Sequence, residues 1–447
     1  MKVESSRLRV LIQTPYASRK DVPGGVGNFI QELVPHLESK GFDIRVLGPS
    51  VKDKDNNFAD HKLGKVPFSV SVNDTKFYPG FSPNKRRARR ITEAFGPHLI
   101  VAHEPAVPNS AHVLISGIPR REDGKRLVPV IGQFHAQRKE GLDISTKIYE
   151  KALSYVRRPR LKFGVPVGRT KGYLETIRES LTGRIAVSNA TAKFWSDHFP
   201  GKYDVIYNGI DTHGFTPDGP KFEHWNDGRK TILFTGRHDE RKGLPYLIKA
   251  YEALRNHGKN VKLMITGYDK DLTPVLEQMV KERGVPDVHF LGFLSKDDLA
   301  KVYRSADLFV APSVGGEGLN RTVIEARVSG TVVVCTNIEG QDEAIGPDFA
   351  RFMAKPADSY DLSLKMNEAL NLPLEERRRL SAGSRQDAID NFSWDKIAED
   401  HAKYYERVVD RYGIPVWSNY VLKEKTLLSR IPLLGNVFVR DELRRKT

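Results

Sequence analysis

The sequence predicts an α/β protein made of two doubly wound domains. The chain has 447 residues, which is long for a single hydrophobic core and suits two domains of ordinary size. Short apolar runs alternate with segments of helical periodicity, which is typical of parallel sheets covered by helices. A polar segment at 216–229, rich in proline and glycine, interrupts this alternation and is predicted to be a linker.

The first series begins with a buried strand at 8–12. A turn at 21–25 then leads into a helix whose apolar residues recur every three or four positions. Pro35 is expected to bend this helix and Gly41 to end it. The further strands of this half are predicted at 43–47, 98–102, 127–134, 184–187 and 205–207.

The second series begins at residue 230. Its strands are predicted at 230–235, 261–266, 287–291, 307–310 and 331–335, and its helices near 243–256, 273–283, 296–304 and 320–329. Ser393 is a candidate N-cap for a late helix with an aromatic face. The predicted organisation is therefore a first domain (1–215), a linker (216–229), a second domain (230–392), a late helix (393–411) and a basic-apolar tail (412–447).

The composition indicates an anionic partner. The 71 Lys and Arg residues against 56 Asp and Glu give a net charge of +15, which suits nucleic acid, a nucleotide or a lipid surface. No zinc-finger spacing, basic zipper or RNA-binding strand signature occurs, so nucleic acid is not the expected partner.

Cysteine and hydropathy patterns narrow the class of protein further. The single cysteine, Cys335, lies in an apolar run and is predicted to be buried, which leaves no disulfide or zinc cluster within the chain. No apolar run reaches about 18 residues, and the first residues lack a signal-peptide core. A cytoplasmic location is therefore expected.

A glycine-rich loop at 315–320, followed by an apolar helix, carries two carboxylates. Glu317 and Glu325 stand on either side of seven residues. Glycines allow close backbone approach, amides at a helix start receive phosphate, and carboxylates accept hydroxyl hydrogen bonds. This pattern predicts a sugar-nucleotide site, although two solvated glutamates on a surface loop would give the same local pattern.

A second polar segment, 236–243, follows a predicted strand directly. Arg237 and Lys242 suit a diphosphate, because a guanidinium offers forked donors and an ammonium a mobile charge. A solvated basic turn is the alternative. Ligands of open α/β sheets bind beyond the carboxyl ends of the strands, so the loops at Gly24, His135, Arg237 and Glu317 are expected to surround one cleft.

Several motifs occur in the order seen in family-4 retaining glycosyltransferases, and the resemblance covers about residues 8–411. They are Asp21-Val22-Pro23-Gly24-Gly25-Val26, His103-Glu104-Pro105, Phe134-His135, 184–188, Tyr207-Asn208-Gly209-Ile210-Asp211, 236–243 and 315–326. Within that family the chain looks most like the phosphatidylinositol mannosyltransferases. The resemblance implies a GT-B fold, with two Rossmann-like domains facing one cleft and a late helix returning to the first domain.

The resemblance also implies roles for individual residues. It assigns the donor sugar and diphosphate to Glu317 and the amides of Gly318, Leu319 and Asn320. It assigns the ribose to Glu325 and the diphosphate to Arg237 and Lys242. On the first domain it implies that the backbone at Gly24 and Gly25 closes over the donor and that His135 contacts the sugar; a loop histidine bonded to backbone is the alternative for His135.

The implied reaction is transfer of an α-linked hexose with retention at the anomeric carbon. By family analogy we expect a front-face route in which the leaving phosphate takes the acceptor's proton. No cofactor beyond the nucleotide sugar is expected, and no ligand cluster requires a metal, although a bound Mg²⁺ ion is compatible with the sequence. Leu319-Asn320 departs from the family, which usually has an aromatic residue and then glycine, and Arg321 and Arg327 lie in a helix that is usually more apolar.

Two basic segments point to the acceptor side. Residues 85–91 include five Lys or Arg, and residues 151–174 include seven with no acidic residue. Both suit anionic phospholipid headgroups, and a solvated charged face is the alternative for each.

The preferred hypothesis is a membrane-surface enzyme that transfers mannose from GDP-mannose to an inositol phospholipid or related lipid. A second hypothesis is a family-4 enzyme that uses UDP-glucose, UDP-N-acetylglucosamine or another donor on a soluble or polyprenyl-linked acceptor. A third is a basic protein with an inert site that binds nucleic acid or membrane.

Overall fold

The computed structural model describes residues 7–15, 25–50, 59–65, 70–72, 75–77, 85–106, 110–135, 170–222 and 227–417. Gly24, residues 151–169 and the tail from residue 418 lie outside the described residues, and so do the side chains of residues 170–174.

Two parallel sheets form the centres of the two domains. The strands are β1 (Arg9–Gln13), β2 (Asp43–Ser50), β3 (His61–Lys65), β4 (Val70–Val72), β5 (Thr75–Phe77), β6 (Leu99–His103), β7 (Val130–Phe134), β8 (Gly183–Ala186), β9 (Asp204–Val205), β10 (Lys230–Thr235), β11 (Val261–Thr266), β12 (Val288–Gly292), β13 (Leu308–Ala311), β14 (Val332–Thr336) and β15 (Met353–Ala354). The first sheet has the order β3-β2-β1-β6-β7-β8-β9 and the second the order β12-β11-β10-β13-β14-β15, while β4 and β5 form a separate hairpin.

The central strands are apolar because helices cover both faces of each sheet. Strands β6 and β14 are buried along their whole length, as expected of parallel strands. The registers place Val10 opposite Leu99 in the first sheet and Ile232 opposite Leu308 in the second. In each sheet the chain therefore reverses its winding beside the first strand of that domain, β1 or β10, which is where open α/β sheets bind ligands.

The structure describes thirteen α-helices, and the five whose limits were predicted lie within one residue of those limits. They are α1 (Gly25–Ser39), α2 (Lys85–Phe95), α3 (Ser110–Gly117), α4 (Thr170–Ser180), α5 (Asn189–His198), α6 (Leu244–Asn256), α7 (Leu272–Glu282), α8 (Lys296–Ser305), α9 (Arg321–Val328), α10 (Asp342–Ile345), α11 (Ser359–Leu370), α12 (Leu374–Phe392) and α13 (Trp394–Tyr412). Short 3₁₀ turns occur at Glu240–Lys242 and Pro347–Phe352. Pro35 lies inside α1, which continues to Ser39.

The late helix α13 returns to the first domain, as predicted. Trp394, Ile397 and Tyr405 are buried in the same hydrophobic cluster as Val10 and Phe29 of the first domain. Ser393 occupies the N-cap position, but its side chain makes no capping hydrogen bond.

The chain passes between the domains twice, and the two passages touch. Ile210 pairs with Ser393 in an isolated parallel bridge, and the Ile210 N–H donates to the Phe392 carbonyl at 2.7 Å. This contact joins the two connections at one point. The domain limits suggested by the sequence stay predictions.

The burial of the single cysteine and the hydropathy of the helices complete the fold. Cys335 is fully buried in the second domain, as expected. Among the described helices, none is long and apolar enough to cross a membrane.

Candidate active site

Two loops of the second domain are joined at the carboxyl edge of its sheet. Gly243 ends the Glu240–Lys242 turn with a φ of +67°, and a β-carbon there would lie 2.0 Å from the Pro312 carbonyl oxygen. Only glycine fits this contact. The Val314 N–H donates to the Arg241 carbonyl at 2.7 Å. The loop after β10 is thereby fixed against the loop after β13.

This junction brings Lys242 to Glu317. The Lys242 ammonium donates to Glu317 Oε1 at 2.8 Å, and the Ser313 hydroxyl donates to the same oxygen at 3.0 Å. The side chains of Lys242 and Glu317 are 15% and 11% exposed. Among the described residues Glu317 Oε2 has no hydrogen-bond donor, so the carboxylate is held in place and keeps one oxygen as an acceptor.

Backbone packing fixes Glu317 from the other side. Gly340 has a φ of +84°, and a β-carbon there would lie 1.9 Å from the Glu317 carbonyl oxygen. The Glu317 N–H is 3.3 Å from the Glu339 carbonyl. Neither Ser313 nor Gly340 was identified from the sequence, because their role depends on a loop contact between separate strands.

The arginines of the first loop gather around Asp239. The guanidinium of Arg241 lies 3.1 Å from the Asp239 carboxylate and that of Arg237 lies 3.5 Å from it. Arg237 is the more exposed of the two, with 42% of its side chain accessible. Arg237 and Lys242 thus share a loop, as the sequence predicts, but contact different carboxylates.

Glu325 lies on α9 and is buried. The Tyr303 hydroxyl lies 3.1 Å from its Oε2 and 2.6 Å from the Thr235 hydroxyl. Burial raises the pKa of Glu325, and the positive charge of Arg321 opposes that rise. Glu317 is therefore paired with a cation in a loop, whereas Glu325 is held by a phenol on a helix.

The loop between the two glutamates turns its side chains away from the cleft. Leu319 packs in the hydrophobic core of the second domain. The Asn320 amide donates to Gln341 Oε1 at 2.9 Å, and its oxygen accepts from Thr322 at 2.8 Å. The side chains that depart from the family sequence are therefore both buried within the second domain. Asn320 has a φ of −80°, so left-handed backbone is not needed there.

Arg327, the second departure in this helix, belongs to the core. Its side chain is fully buried and donates to the Ser384 hydroxyl at 2.9 Å and to the carboxylate of Asp387. It faces α12 rather than the cleft, so it does not bear on the choice of donor.

His135 brings the first domain against this loop. A β-carbon at Gly318 would lie 2.5 Å from the His135 carbonyl oxygen. The His135 N–H donates to Glu104 Oε1 at 2.8 Å, and its Nε2 lies 2.8 Å from Nδ1 of His103. The structure therefore places the backbone of His135 against the 315–320 loop and its imidazole against a second histidine.

Burial favours the neutral form of three histidines on this side of the cleft. Burial, together with the charge of neighbouring groups, lowers the pKa of His135 to about 3 and that of His103 well below its usual value. Burial also lowers the pKa of His401 to about 4. An Asn208 hydrogen bond partly opposes the shift at His135. The motifs containing His103 and Asn208 are visible in the sequence, but their convergence on His135 is not.

Two known protein families match the two domains that line this cleft. The family described as Glycosyltransferase Family 4 matches residues 23–213, and Glycosyl transferases group 1 matches residues 217–387. The chain therefore carries a family-4 and a group-1 glycosyltransferase domain, and its fold is GT-B.

Curated relatives and solved structures agree with this assignment. The phosphatidyl-myo-inositol mannosyltransferase of Mycobacterium leprae is 25% identical over 90% of this chain and 97% of its own length. A Rickettsia africae glycosyltransferase has a TM-score of 0.69 at 17% identity, covering 91% of this chain and 99% of its own. Anabaena HepE in complex with UDP and glucose has a TM-score of 0.61 at 16% identity, covering 90% and 100%. The two structures show the shared fold.

The segment leading into α1, which contains two of the predicted positions, lies mostly outside the described residues. Gly25 is the first residue of α1, and Gly24 is outside the described residues. Within the described ranges, no group of three or more His, Cys, Asp or Glu side chains is arranged to hold a metal ion. The roles assigned to individual residues by resemblance stay predictions.

Three arginines of helix α2 are exposed to solvent. Arg86, Arg87 and Arg90 are exposed, while Ala88 is buried against the first domain. Arg89 pairs with Glu93 at 2.7 Å, one turn later. The predicted basic segment is therefore a helix with an exposed cationic face.

Proposed function

We propose that this glycosyltransferase is a retaining enzyme that transfers mannose from GDP-mannose to an inositol phospholipid or related lipid at the inner face of the cell membrane. The observation that carries the proposal is the contact of Gly318 with His135, beside the Lys242–Glu317 pair. It joins a charged loop to the opposite domain where a donor sugar would lie. The mannosyltransferase name of the relative that matches 90% of this chain supports the choice of sugar and acceptor.

The charged loop suits the departing nucleoside diphosphate. In the reaction the bond between the anomeric carbon and the diphosphate oxygen breaks, and a bond to the acceptor oxygen forms. Negative charge then builds on the diphosphate, where Arg237 and Lys242 would stabilise it. Glu317 would accept hydrogen bonds from sugar hydroxyls, and Glu325 from the ribose.

A front-face route agrees with the histidine chemistry. His135 has a pKa lowered by burial, and its Nε2 is paired with His103. Such an imidazole is a poor general base, because effective bases have pKa values near the working pH. The acceptor proton therefore passes to a phosphate oxygen of the leaving group, on the same face as the breaking bond, and the anomeric configuration is retained.

The exposed arginines of α2 suit a membrane carrying the lipid acceptor. Each basic residue near an anionic surface contributes about 1 kcal/mol to binding. The predicted contribution of residues 151–174 falls mainly outside the described residues.

A donor and acceptor panel tests the proposal. The full chain is incubated with GDP-mannose, UDP-glucose or UDP-N-acetylglucosamine, with phosphatidylcholine vesicles that contain or lack phosphatidylinositol. We expect transfer only from GDP-mannose and only to phosphatidylinositol, with an α-linked product by NMR. Transfer from a UDP-sugar to a soluble or polyprenyl acceptor would favour the second hypothesis. Turnover of no donor, with salt-sensitive DNA binding, would refute an enzymatic role.

Charge reversal at Arg86, Arg87, Arg89 and Arg90 tests the membrane surface separately. We expect the fourfold Glu variant to lose sedimentation with phosphatidylinositol vesicles while keeping its affinity for GDP. Loss of GDP affinity would show that α2 has another role.

A further inference from the structure

One carboxylate of the first domain receives groups from three elements that surround the cleft. Glu32 lies on α1, and the Trp394 indole N–H of α13 donates to its Oε2 at 3.0 Å. Arg321 Nη2 of α9 lies 3.5 Å from the same oxygen, and Lys296 Nζ of α8 lies 3.8 Å from Oε1. Lys296 also pairs with Asp211 at 2.8 Å. Glu32 therefore contacts both the donor-side domain and the returning helix.

Arg321 occupies a central place in this group. It is the first residue of α9, and it precedes Glu325 by one helical turn, so the two side chains share a face of the helix. Its charge influences the pKa of both Glu325 and His135, which belong to opposite domains. The guanidinium therefore lies close enough to both Glu325 and His135 to act on their charge states.

The Arg321 guanidinium is only partly paired within the described residues. Its only ion pair among the described residues is the 3.5 Å contact with Glu32, and its buried Nε has no acceptor in that part of the chain. A buried donor without a partner is costly in a folded protein. A diphosphate or ribose oxygen bound in the cleft would supply the missing acceptor, and a guanidinium is suited to phosphate oxygens.

We propose that Arg321 contacts the ribose–diphosphate part of the nucleotide donor, and that Glu32 is a positioning residue that orients the Arg321 guanidinium from the opposite domain. This inference rests on the proposed function as a nucleotide-sugar transferase. It adds a donor contact that is separate from the Arg237 and Lys242 loop. It also makes full donor affinity depend on the approach of the two domains, because Glu32 belongs to the first domain and Arg321 to the second.

A purely structural ion pair at the domain boundary is the competing explanation. In that case removal of either partner would lower thermal stability and leave nucleotide affinity unchanged. A double-mutant cycle on nucleotide binding separates the two, because only a positioning role makes the effect of Glu32 depend on Arg321.

The experiment measures GDP binding by calorimetry, and kcat and KM for transfer, on the full chain. The variants are Arg321→Leu, Arg321→Lys, Glu32→Gln and the Glu32→Gln/Arg321→Leu double variant. Arg378→Leu serves as the matched control, since Arg378 is an exposed α12 residue paired with Glu375 on the same helix. Glu32→Gln keeps an acceptor for the Trp394 N–H. Melting temperatures report on folding.

We expect Arg321→Leu to weaken GDP binding by about 10-fold or more, the scale of a hydrogen bond to a charged group. Arg321→Lys should recover part of this loss. Glu32→Gln should weaken binding several-fold in the wild-type background and add nothing to Arg321→Leu. Binding within twofold of wild type in Arg321→Leu would overturn the inference, and the proposed function would stand if Lys242→Ala still lost affinity. Absence of GDP and UDP binding in the wild type would instead reject the proposed function itself.

Discussion

The two sides of the cleft differ in their electrical character. The second domain presents a paired lysine and glutamate, Lys242 and Glu317, at 2.8 Å. The first domain presents His135, whose imidazole pairs with that of His103 and carries no charge at neutral pH because burial lowers the pKa of both. Around the Gly318–His135 contact, the second domain therefore contributes a charged pair and the first domain contributes neutral imidazoles. The charged Glu32 of the first domain lies elsewhere, on α1.

This difference follows the charge that the proposed reaction would produce. A departing diphosphate gains negative charge, so fixed cations stabilise the transition state more than the ground state. A sugar and an acceptor hydroxyl carry no charge, and neutral partners bind them without attracting the diphosphate away from its site. The cleft would therefore separate the leaving group from the transferred sugar by electrostatics as well as by shape.

Removal of either Lys242 or Glu317 should lower the rate of transfer more than any other change considered. We expect Lys242→Ala and Glu317→Ala each to lower kcat for transfer by about 100-fold or more, as seen for the loss of fixed transition-state donors. Phosphatidylinositol vesicle binding, measured by sedimentation, should remain normal. Near-normal transfer in either variant would show that the charged side is not the site of reaction.

A methyl group added at Gly318, where the second domain contacts His135 of the first, should cause the next largest fall in the rate of transfer. In Gly318→Ala the new β-carbon would lie 2.5 Å from the His135 carbonyl oxygen, so the two backbone segments must move apart. We expect kcat to fall by about 10-fold, because small misplacements of reacting groups are costly, with GDP affinity retained within a few-fold.

Gly315→Ala is the matched control for that variant. Its β-carbon would lie 3.2 Å from Cγ of Arg241, within the same domain and against a flexible side chain. Equal kinetics in Gly318→Ala and Gly315→Ala would mean that the closed contact does not matter for transfer.

The buried histidines should make the free energy of unfolding depend on pH. The folded-state pKa values of His135 and His401 are lowered to about 3 and about 4, whereas an unfolded histidine has a pKa near 6.5. The unfolded chain therefore binds more protons below about pH 6.5, and the free energy of unfolding falls as the pH is lowered. Each such histidine contributes up to about 1.4 kcal/mol per pH unit.

His401→Gln isolates one part of this effect. Urea unfolding at pH 6 and pH 5 should show a stability loss about 1 kcal/mol smaller in the variant than in the wild type. The same loss in both proteins would indicate that folding does not lower the pKa of His401.

The strands show which element limits could be predicted from the sequence. Runs such as 230–235 and 261–266 coincide with β10 and β11, because a strand buried on both faces requires a continuous apolar run. Strand β7 begins at Val130 rather than at residue 127. The Leu127 N–H instead donates to the Pro119 carbonyl at 2.7 Å, a partner that local periodicity does not reveal.

The sequence by itself determined the α/β class, the two series of strands and the candidate residues Glu317, Glu325, Arg237 and Lys242, because these depend on local patterning and on motifs within a few residues. Only the tertiary structure decided what each candidate contacts. Lys242 reaches Glu317 because Gly243 fits against the Pro312 carbonyl, and Glu32 meets Arg321 because α13 returns to the first domain. Such contacts join residues far apart in the chain, and their geometry is set by the packing of whole elements.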